Sequence, residues 1–383
     1  MMRAVDAPGD ASSERPSTGS IVKRIGWIVV LRLVVLEGVG LLSLVPLVRR
    51  PWLHALRMWT EWDAGHYLRI AQVGYRPRGV PNDDPLFIVF FPGYPAVVRV
   101  VAFAVRNLVV SGLLVSALSS VGAAWLLYRL VLLDADHEEA WRAVVLLFTF
   151  PTAFFLAAPY SEAMFLCSVL AAMHAARTSR WVRAGVAGAV ATATRVAGIA
   201  LLPALAFAAV TSSRPWSARA RRILLVCISG GGLAAYLVIN EVVHGDAFWF
   251  LHVQRSHWYQ QPVPPWEPVI TAVRELVAGQ RDSAYTVIFA SRLAALAFAV
   301  PMLVAAARRL KRVDAIYGWA ALLAVGSTSW LISLPRYLLP IYPIFMVEAK
   351  LTRSRRVFAI VVAAGCVVQA WLFWRFVRAD WAF

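Results

Sequence analysis

The run Glu61-Trp62-Asp63-Ala64-Gly65-His66-Tyr67 sets two carboxylates among aromatic rings, with Arg69 and Gly74-Tyr75 close behind. A carboxylate in a partly buried, low-dielectric site holds its proton more tightly and can serve as a general base. Further along stand Asp83-Asp84, Phe90-Phe91-Pro92-Gly93-Tyr94-Pro95, Pro159-Tyr160-Ser161-Glu162 and Thr194-Arg195. Beyond them come His244-Gly245-Asp246, His252-Val253-Gln254-Arg255-Ser256-His257-Trp258 and Leu334-Pro335-Arg336-Tyr337. Arginines near such an acid can hold a phosphate by paired hydrogen bonds. Aromatic rings suit the apolar faces of a sugar and also the depth of a membrane interface.

Each of these residues has a plainer reading beside the chemical one. Trp62 and Tyr67 could be interfacial anchors, and Asp63 could cap a helix beginning near Gly65. Glu162 could be a first-turn acid favoured by the helix dipole, and Asp83-Asp84 a solvated turn. Arg195 and Arg336 sit between strongly apolar stretches, where an arginine either serves a function or snorkels to the surface. The histidines lack His-x-x-x-His spacing, so no metal site is expected. Phosphate-loop, dinucleotide and serine-nucleophile motifs are missing from the sequence, which leaves ATP-driven transport without support. Cys167, Cys227 and Cys366 lie inside apolar runs at no ligand spacing and read as small buried hydrophobes.

The elements that must position these residues are membrane helices. Of 383 residues, 60% are hydrophobic and 15% charged, with mean hydropathy +0.65; a soluble domain would carry about a quarter charged. Apolar runs such as 223–243, 287–307 and 357–373 approach the ~20 residues that cross ~30 Å of hydrocarbon. They lack the alternation of barrel strands, so the expected fold is an all-α polytopic bundle of about eleven transmembrane helices. The candidate spans are 25–47, 109–131, 140–157, 160–176, 183–195, 196–211, 221–243, 285–307, 313–332, 336–349 and 357–376. Residues 1–20 read as a disordered cytoplasmic tail and 21–383 as one transmembrane domain. Two long outer loops are expected at about 48–108 and 244–284.

The net charge of +17 would suggest nucleic acid in a soluble chain, but here the basic residues lie between apolar spans, where they set orientation and meet anionic headgroups. Alternation from a cytoplasmic N-terminus puts Arg129 and Arg142, then Arg177/Arg180/Arg183, on the inner side. Arg214/Arg219/Arg221/Arg222, Arg308/Arg309/Lys311/Arg312 and Lys350/Arg353/Arg355/Arg356 follow there, as the positive-inside rule requires. The acids Asp134, Asp136, Glu138 and Glu139 make the first of these loops the weakest. The segment 86–106 reads as a surface or re-entrant helix, because Pro92 and Pro95 interrupt its start and Arg99 and Arg106 are costly at mid-bilayer. The pair 183–195 and 196–211 reads as a broken hairpin turning at Arg195. No internal repeat of the transporter kind is evident.

The order of these motifs resembles the PIG-V-like family of mannosyltransferases over roughly residues 55–350. The resemblance rests on Trp62-Asp63…Tyr67-Leu68-Arg69-Ile70-Ala71…Gly74-Tyr75, Phe90–Pro95, Pro159–Glu162, Thr194-Arg195, Gly245-Asp246 and Leu334-Pro335-Arg336-Tyr337-Leu338. It implies the C-type glycosyltransferase fold and a polyprenyl-phosphate sugar donor used on the extracytoplasmic face of the cell membrane. It further implies Asp63 as catalytic base with Glu61 as its partner; for that reaction Arg336 and Arg195 are expected to hold the donor phosphate. His66, Tyr67, Tyr160, Glu162 and Tyr337, with His252, Arg255 and His257, are then candidates for donor or acceptor contacts. His66 departs from the family pattern, which often has a second aromatic before the tyrosine. The implied acceptor is a lipid-linked glycan such as a phosphatidylinositol mannoside or lipomannan, as in cell-envelope glycolipid synthesis. Neither cofactor nor metal is expected beyond the lipid donor. Rival readings are transfer of another lipid-linked sugar, arabinofuranose or glucose, a non-enzymatic lipid or polyprenol carrier, and a non-catalytic subunit of a larger complex. Impermeant thiol labelling from outside the cell should reach cysteines introduced beside Trp62 and beside Tyr337 alike; labelling from opposite sides would refute the topology.

Overall fold

The computed structural model of the chain describes residues 17–76, 84–211, 215–278, 283–329, 331 and 333–382, the side chains of 283–287 excepted. Tail residues 1–16, Arg78, Asp83 and Arg214 therefore lie outside the described residues. In chain order, α1 (Thr18–Leu44) leads through 3-10 turns at Pro51–His54 and Arg57–Thr60 to α2 (Asp63–Val73). Next come α3 (Gly93–Val105), α4 (Leu108–Val131), α5 (His137–Thr149), α6 (Glu162–Arg177), α7 (Trp181–Thr194) and α8 (Leu201–Val210). Helix α9 (Trp216–Cys227) runs through a 3-10 turn into α10 (Gly231–His244), followed by α11 (Trp249–His257) and α12 (Glu267–Val277). The last are α13 (Ser283–Arg309), α14 (Arg312–Gly326), α15 (Leu334–Tyr337), α16 (Pro343–Leu351) and α17 (Arg355–Val377). Among the described residues no strand forms, only an isolated bridge between Pro262 and Thr328.

Among the described residues, five stretches are long and apolar enough to cross a membrane: α1, α4, α9–α10 taken together, α13 and α17. Capping fixes some of their starts. The Ser17 hydroxyl accepts from the Ser20 amide at α1, and Asn107 Oδ1 accepts from the Val110 amide at α4. The other expected spans are broken or short. The stretch 140–157 is α5, ending at Thr149 ahead of Pro151, and then a 3-10 turn at Ala153–Leu156. The stretch 336–349 divides into α15 and α16, interrupted at Leu338–Tyr342, a segment that contains Pro340. Proline removes a backbone donor and disfavours helix at the preceding residue, which accounts for the breaks. Even α6, with 16 residues, reaches only ~24 Å. The interrupted backbone is tolerated because it is packed in protein: Ala153, Phe154, Phe155, Leu156, Tyr160 and Ser161 are all buried. The α7–α8 break falls at Arg195, whose backbone is extended (φ −156, ψ 146). The 86–106 segment forms a 3-10 turn and α3, whose 13 residues span ~20 Å.

Charged groups gather at the two ends of α6, which packs between α4 and α7. At its C-terminus Arg177 binds Asp134 at 2.6 Å and the fully buried Asp314 at 3.1 Å. The Tyr342 hydroxyl donates to the other Asp314 oxygen at 2.6 Å. Lys350 meets Glu139 at 2.6 Å, Lys311 lies 3.8 Å from Asp134, and Arg142 pairs with Glu138. Of the acids that weakened one expected inner loop, Asp134 and Glu139 are thus matched by cations from neighbouring segments, Glu138 by Arg142 of its own helix, and Asp136 caps α5. At the N-terminus of α6 stands Glu162, with a second ion cluster.

Helices α7 and α10 approach through glycine. A Cβ on Gly232 would stand 2.0 Å from the Ala189 carbonyl oxygen, and one on Gly188 would stand 2.2 Å from Ser229 Oγ. Thr192 donates across this seam to the Ser229 carbonyl at 2.6 Å. Gly232→Ala should therefore destabilise the protein by about 1–3 kcal/mol, read as a lower unfolding midpoint in detergent. Gly26→Ala, where a Cβ meets nothing within 4 Å, should leave the midpoint unchanged.

Candidate active site

The route from α1 to α2 is anchored by Trp59, a buried side chain whose Nε1 donates to Glu37 Oε2 at 2.8 Å. Two residues later Glu61 is extended, and Trp62 takes φ 58, ψ −132. A positive φ on so bulky a residue is strained, and such strain tends to gather at functional sites. The Trp62 ring meets Trp381 edge-on at 5.4 Å. This turn makes Asp63 the first residue of α2, with Trp62 rather than Asp63 in the capping position and no side-chain cap bond. The Asp63 carboxylate instead accepts from Arg336 Nη1 at 2.9 Å.

Arg336 is held on three sides. Its guanidinium lies over the rings of Phe155, Tyr160 and Tyr337 at 5.1, 5.5 and 5.2 Å. Thr152 Oγ1 donates to the Pro335 carbonyl at 3.1 Å, tying α15 to the break after α5. Arg336 Nε stands 3.2 Å from Glu162 Oε1 but without hydrogen-bond alignment, and Glu162 Oε2 is buried with no hydrogen-bond partner. Arg195 completes the group, donating to Glu162 Oε1 at 2.7 Å and to Ser161 Oγ at 3.0 Å while lying over Tyr337. Neither arginine snorkels, since their side chains are 17% (Arg195) and 8% (Arg336) exposed and point to acids.

Two carboxylates and two guanidiniums therefore share one buried cluster of zero formal charge. Glu162 is 1% exposed, so its first-turn position places it under two arginines rather than towards solvent. Asp63, with a side chain 30% exposed, is the member that water and a substrate can reach. The Tyr67 hydroxyl lies 2.9 Å from Ser161 Oγ, and Tyr160 donates to the Glu61 carbonyl at 3.1 Å. Burial pushes the Tyr67 phenol far above its ordinary range, so it stays neutral. Burial also raises the Glu61 carboxyl, against the opposing charge of Arg57. The His66 ring stacks on Phe90 at 4.9 Å, and Tyr67 meets Phe90, Tyr94 and Tyr160 edge-on.

Of the residues singled out in the sequence, Asp63, Tyr67, Tyr160, Glu162, Arg195, Arg336 and Tyr337 come together. Glu61 joins through its main chain, and His66 stands beside them on the aromatic wall. His252, Arg255 and His257 do not join them. They are exposed on α11, along an open cleft of about 460 Å³ that also includes Pro85. Helix α11 buries Phe250 and Val253 against Ile88, Phe91 and Tyr236, which turns its polar face outward. His252 Nε2 lies 3.3 Å from Asp246, and the link to the cluster runs through Trp258, Phe90 and His66. Phe155 and Trp381 were not legible as site residues; an aromatic among apolar neighbours gives no signal of the cation it will cover, as Phe155 covers Arg336, and nothing beside Trp381 announces its contact with Trp62.

A family model for the PIG-V mannosyltransferases matches residues 33–230, half of the chain. The chain belongs to this family. The match includes Asp63, Glu162 and Arg195, whereas Arg336 lies beyond it. GPI alpha-1,6-mannosyltransferase 2 of Cricetulus griseus is 32% identical over 151 residues, which is 37% of this chain and 29% of that relative. ArnT from Cupriavidus metallidurans, solved bound to undecaprenyl phosphate, has a TM-score of 0.50 at 18% identity. The likeness covers 90% of this chain and 63% of ArnT and gives this PIG-V family member the C-type glycosyltransferase fold. The chain thus spans less than two thirds of either protein's length.

The Glu162–Arg195 pair can be weighed by a double-mutant cycle. Glu162→Gln alone should cost about 3–5 kcal/mol, since it leaves two buried guanidiniums to one carboxylate. The Glu162→Gln/Arg195→Gln protein should recover at least about 1 kcal/mol relative to additivity, measured by unfolding in detergent.

Proposed function

We propose that the protein transfers mannose from a polyprenyl-phosphate mannose to a hydroxyl of a lipid-linked glycan, in a site facing the extracytoplasmic side of the cell membrane. Membership of a mannosyltransferase family supports the sugar. A relative named for adding mannose to a glycolipid anchor supports a lipid-linked acceptor, and a fold shared with a protein solved on undecaprenyl phosphate supports the lipid donor. The observation that carries the reading is the 2.9 Å contact between Arg336 and the accessible Asp63, backed by Arg195 and Glu162.

The donor is already activated, because its leaving group is a stable phosphate that cations can neutralise. An acceptor hydroxyl attacks the anomeric carbon from the face opposite the phosphate. Its oxygen forms the new glycosidic bond, its proton passes to an Asp63 oxygen, and the anomeric C–O bond breaks with its electron pair on the polyprenyl phosphate. One such displacement inverts the anomeric centre, so a β-linked donor gives an α-mannoside. Arg336 and Arg195 are assigned to the phosphate, where negative charge grows as the bond breaks. The cluster is neutral beforehand, so the incoming phosphodiester competes with Asp63 for Arg336. That exchange would free the carboxylate to act as base only when a donor is present. Glu162, bound to both arginines, keeps them aimed; Tyr67, Tyr160, Tyr337 and His66 line the place for the sugar. Arginine serves here in place of a metal, and no cofactor is invoked.

The test uses membranes containing the full chain and labelled polyprenyl-phosphate mannose. Asp63→Asn should lower transfer by about 10²–10⁴-fold, the span of general-base catalysis, with insertion unchanged. Arg336→Ala should mainly weaken donor use, and a chelator should leave the wild-type rate unchanged. Near-normal transfer by Asp63→Asn removes that residue from catalysis. Lipid flux that survives Asp63→Asn without sugar transfer would favour the carrier, and a panel of donors separates mannose from arabinofuranose or glucose.

A further inference from the structure

At the far end of α7 from Arg195 lies a second charged feature. Helix α7 has 14 residues, so its Trp181 end is ~20 Å from the Asp63 cluster, at the opposite side of the bundle. There Arg180 and Arg183 face Arg221 and Arg222 of α9 across a cleft of about 510 Å³. Trp181 forms part of its wall, with the Arg222 guanidinium 5.0 Å over its ring. Among the described residues none of these four arginines pairs with a carboxylate. At the same end Arg142, Arg177, Lys311 and Lys350 are all matched to acids. The segments that carry the four charges are also closely packed. A Cβ on Gly185 would stand 2.4 Å from the Leu225 carbonyl oxygen, so α7 and α9 lie close enough to keep the two pairs facing each other.

The surroundings indicate what the cleft meets. Trp216, Leu224, Val182 and Val186, on the same two helices, are exposed apolar side chains. Charge beside exposed tryptophan and aliphatic surface marks the boundary between hydrocarbon and headgroups. A guanidinium binds phosphate oxygens through paired hydrogen bonds, and four of them around one cleft match a phosphate that carries its own acyl chains into the adjacent apolar face.

We propose that this cleft binds the phosphate headgroup of an anionic phospholipid, as a site separate from the sugar-transfer centre and at the other end of the bundle. The proposal does not depend on the transfer chemistry. It is tested by titrating the purified full chain in detergent with phosphatidylglycerol or phosphatidylcholine and counting bound lipid by native mass spectrometry. Phosphatidylglycerol should be retained over phosphatidylcholine. Arg180→Gln, Arg183→Gln and Arg221→Gln, all exposed positions that leave the core untouched, should each weaken retention by about fivefold. Arg308→Gln/Arg309→Gln, exposed at the same end but outside the cleft, should leave it unchanged. Equal loss in that control variant would reduce the effect to general surface charge and overturn the site. Indifference between the two lipids would also overturn it, as would glycerol 3-phosphate binding as tightly as the lipid, which would make the cleft a site for soluble phosphate.

Discussion

Two carboxylates and two guanidiniums meet at the N-terminal end of α6, and the surrounding fold is arranged to keep them there. Moving one of these charges out of water alone would cost several kcal/mol; together, with hydrogen bonds to Ser161 and between the pairs, they offset one another. That requirement explains why three separate helix interruptions converge on one place. The break after α5 supplies Thr152 and Phe155, the extended residue between α7 and α8 is Arg195, and the short α15 carries Arg336. A continuous helix at either of the last two points would carry its arginine along a helix face instead of turning it into the cluster.

The membrane imposes the complementary constraint. Irregular backbone cannot face lipid, and the break after α5 and the stretch 338–342 are accordingly buried in protein. The stretches able to cross alone, such as α1, α4 and α17, have exposed apolar faces, whereas α6 and α16 are largely buried. Short buried helices and long exposed ones are thus one solution to a single problem: placing irregular backbone and charged side chains inside an apolar bundle.

The sequence made some of this plain. Arg195 and Arg336 stood out because a charge between apolar runs is expensive, and both point into the cluster. Alternation of basic loops grouped residues that do meet at one end, including Arg177, Lys311 and Lys350. Hydropathy did not resolve where the helices stop, since 140–157 and 336–349 are apolar whether or not proline breaks them. Asp63 carried an equal expectation as a helix cap, which Trp62 displaced by adopting a positive φ that no residue type announces. Glu162 carried the expectation of a substrate contact, but burial sets it behind the arginines. His252, Arg255 and His257 carried the expectation of donor or acceptor contacts; amphipathic packing of α11 turns those side chains outward, away from the cluster.

The fourth charge comes from a distant part of the chain. Asp63, Glu162 and Arg195 all fall within the stretch that matches the PIG-V family model, and Arg336 falls well after it. A polypeptide cut off after that stretch would hold two anions against a single cation. Such a fragment would leave this site with a net negative charge where the whole chain is neutral, so the balance of the cluster is a property that only the assembled halves possess.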